Sequence, residues 1–86
     1  MVKSEVAKYL ESKFLFQFDD DITESTDLFK AGIIDSYGYI QLMHFIQDKF
    51  RIKFSRDELL SNVLASLSGI VASVEVKLTH TLNVEA

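Results

Sequence analysis

The stretch that decides the fold runs from a polar loop into a helix, and it reads Asp27-Leu28-Phe29-Lys30-Ala31-Gly32-Ile33-Ile34-Asp35-Ser36-Tyr37. Ser36 places a nucleophilic hydroxyl beside a carboxylate where the loop becomes the helix. The first turn of a helix has backbone N–H groups without intrahelical partners and carries the positive end of the helix dipole. Such a position favours a phosphate ester. Ser36 is therefore the first candidate functional residue.

Apolar residues recur at helical spacing on both sides of this stretch. Downstream, a helix is predicted over roughly residues 36–51 from Tyr39, Leu42, Met43, Ile46 and Phe50. Upstream, a helix is predicted over roughly residues 2–16 from Val6, Tyr9, Leu10, Phe14 and Leu15. Residues 18–35 lose the periodicity but keep several apolar side chains, so we expect a long loop pinned onto the core.

The C-terminal half predicts two more helices. Ser55-Arg56-Asp57-Glu58 has the pattern of a capping box that opens a short third helix, with Leu59, Leu60 and Val63 facing inward. Ser66 is the predicted cap of a fourth helix, whose apolar stripe is Leu67, Ile70, Val71, Val74 and Leu78. The alternation of residues 74–78 also fits a strand, but a single strand would have no partner. Residues 79–86 lack a stripe and are expected to fray.

These elements predict one all-α domain over residues 1–78, followed by a frayed tail over residues 79–86. The 86 residues contain no proline and three glycines, which favours helices over a turn-rich β-sandwich. A chain of this length can bury a single modest core. We expect three longer helices, one short third helix and a long loop between the first two.

Composition excludes several functional classes. The chain contains no cysteine, which excludes a disulfide framework and a thiolate metal site. The N-terminus has no apolar signal region and no stretch approaches eighteen uninterrupted apolar residues, so a cytoplasmic protein without membrane insertion is expected. The acidic residues concentrate in the loop at 19–35, which disfavours nucleic-acid binding.

Basic residues cluster after the second helix, at Lys49, Arg51, Lys53 and Arg56. Two interpretations remain open for this cluster. The basic side chains either face a partner protein, or they complement the negative end of the helix dipole.

No catalytic or metal site is predicted. A serine-hydrolase elbow needs glycine two residues before the nucleophile, where Ile34 stands, and His44 lies about 12 Å further along the predicted helix. The carboxylates from Asp19 onward suggest a calcium loop, but Glu24 and Lys30 occupy the positions that require glycine and glutamate.

With its apolar surroundings, the segment Gly32-Ile33-Ile34-Asp35-Ser36 resembles the attachment site of acyl and peptidyl carrier proteins, and the likeness covers roughly residues 2–78. The resemblance implies a four-helix bundle of carrier-protein type. It also implies that Ser36 carries 4′-phosphopantetheine from coenzyme A, that Asp35 assists recognition by the phosphopantetheinyl transferase, and that the arm's thiol holds a thioester. The residues implied in partner contact are Ile34, Tyr37, Ile40, Gln41 and His44.

The second helix lacks the dense carboxylates of fatty-acid carriers, and Tyr37-Gly38 looks more like the start of this helix in D-alanyl and other aminoacyl carriers. The resemblance therefore implies a monomeric, non-catalytic carrier in a specialised pathway for secondary metabolites, lipids or cell-envelope modification. Its expected partners are the transferase, an acyl- or aminoacyl-activating ligase and a downstream synthase or transferase. The competing interpretation is an unmodified helical interaction domain in which Ser36 is only a helix cap.

Overall fold

The computed structural model describes the backbone of residues 2–85 and the side chains of residues 2–79. Its elements are α1 (Val2–Phe14), α2 (Ser36–Phe50), α3 (Arg56–Leu60), a 3₁₀ turn (Asn62–Ala65) and α4 (Leu67–Glu85). No strand occurs between residues 2 and 85, which confirms the all-α prediction with three longer helices and a short third one. Among the described residues, no helix is long and apolar enough to cross a bilayer.

One apolar core joins the helices to the long loop. Its fully buried members come from α1, the loop, α2, the 3₁₀ turn and α4, and they are Val6, Leu10, Leu28, Leu42, Ile46, Leu64, Leu67, Ile70 and Val74. Burying an aliphatic side chain of this size contributes about 1.5–3 kcal/mol. Among the described side chains, no polar or charged residue is buried with them. The predicted stripes of α1, α2 and α4 thus meet in the centre of the molecule.

The end of α1 corrects one detail of the sequence analysis. Leu15 was predicted to join the inward stripe, but it lies outside the helix and is almost fully exposed. Its backbone adopts the left-handed conformation, with φ of 57°. A left-handed residue ends a helix and redirects the chain. The loop therefore begins one residue after Phe14.

The third helix ends before Val63, and two apolar residues that were predicted to face inward, Leu60 and Val63, are exposed. After α3 ends at Leu60, Ser61 is extended and the 3₁₀ turn follows. Leu60, the last residue of α3, is exposed. The break after it changes the helical phase, so Val63 is exposed, whereas Leu64 and Ala65 are buried. The predicted inward orientation of Leu60 and Val63 was wrong.

The fourth helix settles the choice between helix and strand. Residues 74–78 are helical, and the backbone remains helical to Glu85, beyond the end predicted at residue 78. Ser66 acts as predicted, since its Oγ accepts a hydrogen bond from the Gly69 N–H at 3.2 Å. The side chains of residues 80–86 lie outside the described residues, so the domain boundary at residue 78 and the small contribution of the tail to stability stay predictions.

The capping box of α3 is confirmed. Ser55 Oγ accepts from the Glu58 N–H at 3.2 Å, and Glu58 Oε1 accepts from the Ser55 N–H at 2.6 Å. Glu58 also pairs with Lys77 of α4 at 2.9 Å. The hydrogen bond from the Ser55 backbone and the contact with Lys77 hold the pKa of the Glu58 carboxyl below its ordinary value.

We predict that Glu58 makes stability fall in acid. Because its folded-state pKa is depressed, its contribution is present above about pH 4.5, the ordinary value, and is lost as the pH falls through the folded-state pKa. Melting temperatures measured from pH 7 to pH 3 should show wild type above Glu58→Gln at neutral pH, with the difference shrinking in acid. Glutamine preserves the shape of the capping box and removes the charge. A difference that stayed constant over this range would contradict the assignment.

The structure gives Lys49 a role within the fold. Its Nζ lies 2.6 Å from Glu5 Oε2 and so joins α2 to α1. This contact lowers the pKa of the Glu5 carboxyl, first through the hydrogen bond and then through the charge of Lys49. This ion pair is a third role for Lys49, beside the two proposed for the basic cluster, contact with a partner or complementing the helix dipole. Both of those interpretations stay open for Arg51, Lys53 and Arg56.

Candidate functional site

The loop that precedes Ser36 is hydrogen-bonded to α4 and to the 3₁₀ turn. The Ser68 N–H of α4 donates to the Glu24 carbonyl at 2.8 Å, and the Leu28 N–H donates to the Ala65 carbonyl at 2.8 Å. These bonds pass from the middle of the loop to α4 and the 3₁₀ turn. The predicted attachment of the loop to the core is confirmed.

A compact turn then brings the chain to the start of α2. Asp27 Oδ1 accepts from the backbone N–H groups of Phe29 and Lys30 at 3.0 and 3.1 Å. The Leu28 carbonyl accepts from the N–H groups of both residues 33 and 34. Gly32 adopts φ of +76°, a left-handed conformation that glycine reaches without strain. The turn fixes where the following residues lie.

Asp35 is the N-cap of α2. Its backbone is extended, and its Oδ1 accepts from the Gly38 N–H at 2.7 Å. Ser36 is the first residue inside the helix and does not cap it. The suggestion that Ser36 is only a cap is therefore wrong, because the neighbouring carboxylate already makes the capping bond. The interpretation of the chain as an unmodified interaction domain therefore no longer explains Ser36 as a helix cap.

The Ser36 side chain is exposed and makes no hydrogen bond within the described residues. The N–H groups of Ser36 and Tyr37 belong to the first turn, where the helix itself supplies no acceptor. A hydroxyl in this position is open to an external reactant, and an anionic group attached to it would lie beside backbone donors and the positive end of the dipole.

Gly38 allows the end of α1 to approach the start of α2. A Cβ atom at Gly38 would lie 2.6 Å from the Phe14 ring and 3.2 Å from Asp35 Oδ1. Since real Cβ atoms do not approach neighbours that closely, only glycine fits without movement of the ring. Phe14 therefore supports the turn that carries Asp35 and Ser36.

No acid–base partner accompanies Ser36 in the part of the chain that the structure describes. His44 is exposed two turns further along α2, about 12 Å along the helix axis. The described residues contain no group of histidine and carboxylate side chains that would hold a metal ion.

The predicted partner-contact residues divide between surface and core. Tyr37 and Ile40 are 70% and 55% exposed, so both side chains lie on the surface. His44 is exposed and Gln41 is half-buried on the same helix. Ile34 corrects the sequence analysis, because it is only 4% exposed and packs in the core. Its role is to anchor the loop end rather than to meet a partner.

The structure exposes two apolar residues, Leu60 and Val63, that the sequence analysis had placed in the core. The Tyr39 hydroxyl donates to the Leu59 carbonyl at 2.9 Å and ties α3 to the first turns of α2, and burial raises the pKa of this hydroxyl. Leu60, which is 76% exposed, follows Leu59 directly, and Val63 lies beyond it. The signal for their orientation was Ser61-Asn62, a pair of turn-favouring residues that interrupts the helical period.

Comparison with known proteins agrees with this geometry. No family model matches the chain. It is 34% identical to the D-alanyl carrier protein of Streptococcus sanguinis, over an alignment that covers 66% of this chain and 76% of that relative. It is 36% identical to the D-alanyl carrier protein of Streptococcus mutans with the same coverage. The chain therefore belongs to the family of phosphopantetheine carrier proteins.

Proposed function

We propose that this chain is a non-catalytic carrier that holds acyl or aminoacyl groups as thioesters on a 4′-phosphopantetheine arm attached to Ser36. The observation that carries the proposal is an exposed Ser36 hydroxyl, without a hydrogen bond to any described residue, directly after the capping carboxylate of Asp35. Family membership supports the same chemistry. The arm supplies the thiol that this cysteine-free chain lacks.

The residues around Ser36 fit the arm without rearrangement. Its hydroxyl faces solvent, so a long substituent can leave the surface freely. The N–H groups of Ser36 and Tyr37 have no helical acceptor and can donate to a phosphate ester. In the attachment step, Ser36 Oγ attacks the phosphorus of coenzyme A that bears the pantetheine. A phosphate ester bond to Ser36 forms as the phosphoanhydride bond breaks, adenosine 3′,5′-bisphosphate leaves, and the hydroxyl proton passes to a base on the transferase. The chain contributes position and exposure, and the transferase contributes acid–base chemistry.

The exposed apolar residues beside Ser36 are proposed to meet the partner enzymes. Tyr37 and Ile40 on α2 lie on the exposed part of the helix that begins at Ser36, and α3 is tied to the same end through Tyr39. Gln41 and His44 continue the surface along α2. A transferase, an activating ligase and a downstream synthase or transferase are the proposed partners, acting in turn on a cytoplasmic monomer.

An aminoacyl cargo, D-alanine in the first place, is the proposed specialisation. The names of the relatives point to a D-alanyl group, and the Tyr37-Gly38 pair after the serine points in the same direction. Asp48 is the single exposed carboxylate within α2, so this helix lacks the dense carboxylates that a basic docking patch would need. Cell-envelope modification is the pathway class that we propose on these grounds.

The proposal is tested by loading the protein in two stages. Incubation with coenzyme A and a phosphopantetheinyl transferase should add the mass of one arm. A D-alanine-activating ligase and ATP should then add one aminoacyl group, which neutral hydroxylamine removes because it is a thioester. Failure of the first stage contradicts the carrier function, whereas failure of the second stage alone contradicts only the cargo.

We expect Asp35 to act in two ways that can be separated. Its side chain caps α2, and its negative charge assists recognition by the transferase. Asp35→Asn keeps an oxygen that accepts from the Gly38 N–H, so we expect little change in melting temperature. Asp35→Ala removes the cap and should cost about 0.5–2 kcal/mol. If the charge assists the transferase, both variants should be modified more slowly than wild type. If Asp35→Asn is modified at the same rate as wild type, Asp35 acts only as the helix cap.

A further inference from the structure

A cleft opens at the end of α2 that is remote from Ser36. It has a volume of about 580 Å³ and is lined by the turn after α2, by α3 and by α4. The residues that line it are Arg51, Ile52, Lys53, Glu58, Ala72, Ser73, Val76 and Lys77. Because α2 rises about 1.5 Å per residue, this end lies about 21 Å along the axis from Ser36. The arm and the cleft are therefore separate features of the surface.

The turn that forms one wall of the cleft is held firmly by Gln47. Its carbonyl accepts from the N–H groups of Arg51 and Ile52, and its side-chain Oε1 accepts from the Phe54 N–H at 2.9 Å. Ile52 and Phe54 are buried, whereas Arg51 and Lys53 alternate with them and are exposed. The two cations are thus presented from a fixed backbone.

The cleft is positive although the chain as a whole is negative. Three cations and one carboxylate line it, while the chain carries a formal net charge of −4. Lys77 is engaged, since it pairs with Glu58 and lies 5.4 Å from the centre of the Phe54 ring. Arg51 and Lys53 make no ion pair within the described residues. They are available to an external carboxylate.

An apolar strip accompanies these charges. Val76 is 67% exposed on α4, and Ala72 is exposed one turn before it. Exposed valine beside unpaired cations is complementary to a segment that combines carboxylates with an aliphatic side chain. The volume lies within the range of about 300–1,000 Å³ that is typical of ligand sites.

We propose that this cleft is a second docking site, which takes a short acidic and aliphatic segment of a partner protein. Carboxylates of that segment pair with Arg51 and Lys53, and an aliphatic side chain packs on Val76. Because Ser36 lies at the other end of α2, such a segment can tether a partner without covering the point of attachment of the arm. The site is built in the unmodified chain, so it does not rest on modification of Ser36.

Other occupants fit less well. A long polyanion would extend beyond the cleft over a chain whose formal net charge is −4, and this charge would repel it. A single inorganic anion leaves the apolar strip uncovered. A second copy of this chain could offer its acidic loop, but Ile22, the aliphatic residue that follows Asp21, packs against the core and is not free to cover Val76.

The test uses the unmodified full-length protein and a fluorescein-labelled seven-residue peptide that alternates glutamate with leucine. We expect saturable binding that weakens as salt rises, with backbone amide shifts in nuclear magnetic resonance spectra concentrated at residues 51–53 and 72–77. The double variant Arg51→Gln/Lys53→Gln should bind about tenfold more weakly, and the double variant Arg51→Glu/Lys53→Glu more weakly still, because repulsion adds to lost attraction. Val76→Ser should weaken binding severalfold.

The matched control is Lys8→Gln/Lys13→Gln, which removes two exposed cations from α1 and should leave binding unchanged. Melting curves of all variants establish that they are folded. The proposal is overturned if amide shifts centre on Tyr37 and Ile40, if a glutamate peptide without leucine or inorganic polyphosphate binds equally well, or if no saturable binding occurs. Concentration-dependent dimerisation that the Arg51 and Lys53 changes abolish would assign the cleft to self-association instead, and would equally overturn it.

Discussion

Gly69→Ala should destabilise the domain strongly, although alanine favours a helix over glycine by about 1 kcal/mol. A Cβ at this position of α4 would lie 1.7 Å from the Val63 carbonyl oxygen of the 3₁₀ turn. Because that atom is backbone, the turn must move as a unit. Overpacking of this kind costs about 1–3 kcal/mol or more, which for a domain of this size lowers the melting temperature by the order of 10 °C.

Gly69→Ala should also weaken the attachment of the loop before Ser36. The Ala65 carbonyl of the displaced turn accepts from the Leu28 N–H, so movement there loosens the loop that ends at Asp35. Thermal melts of wild type and Gly69→Ala measure the effect, and Ser68→Ala is the control, since it places alanine in the same turn at an exposed position. A melting temperature for Gly69→Ala at or above that of wild type would contradict the close packing of α4 against the 3₁₀ turn.

The Ser36→Ala variant should lose modification completely and keep its stability. Ser36 is exposed and Asp35 makes the capping bond, so the change should alter the free energy of unfolding by less than about 0.5 kcal/mol, as for ordinary surface substitutions. With coenzyme A and a transferase, the intact mass of this variant should remain that of the unmodified protein.

Ser12→Ala provides the matched control, because Ser12 is exposed on α1 and should play no part in attachment. This variant should take up one arm as wild type does. Addition of an arm to Ser36→Ala would place the attachment on another residue and contradict the site. A large loss of melting temperature in Ser36→Ala would contradict the assignment of the cap to Asp35.

The sequence predicted the features that depend on local pattern. The stripes of α2 and α4, the stripe of α1 apart from Leu15, and the capping box of Ser55 and Glu58 were predicted correctly, since periodicity and capping involve residues close in the chain. The exposure of Leu60, the last residue of α3, was missed. The exposure of Val63 was missed because a 3₁₀ turn interrupts the period after α3 and tertiary packing sets the new phase. Periodicity alone cannot report such an interruption.

The site itself was predicted in position but not in detail. The sequence placed Ser36 at the helix start, yet it could not decide which of two adjacent polar residues caps the helix, because both aspartate and serine serve as N-caps. The structure assigns the cap to Asp35 through its bond to Gly38. The burial of Ile34 could not be predicted from the sequence, because it depends on how the loop packs onto the core, where it bonds to the 3₁₀ turn and α4.

The account is tested most directly by locating the arm on the wild-type chain. Trypsin cleaves after Lys30 and after Lys49, so it should release residues 31–49 as one peptide. Ser36 is the only serine in this peptide. After incubation with coenzyme A and a phosphopantetheinyl transferase, mass spectrometry of the digest should find the arm on this peptide, with fragment ions that assign it to Ser36. An arm on any other peptide, or a protein that takes up no arm, would contradict the central claim.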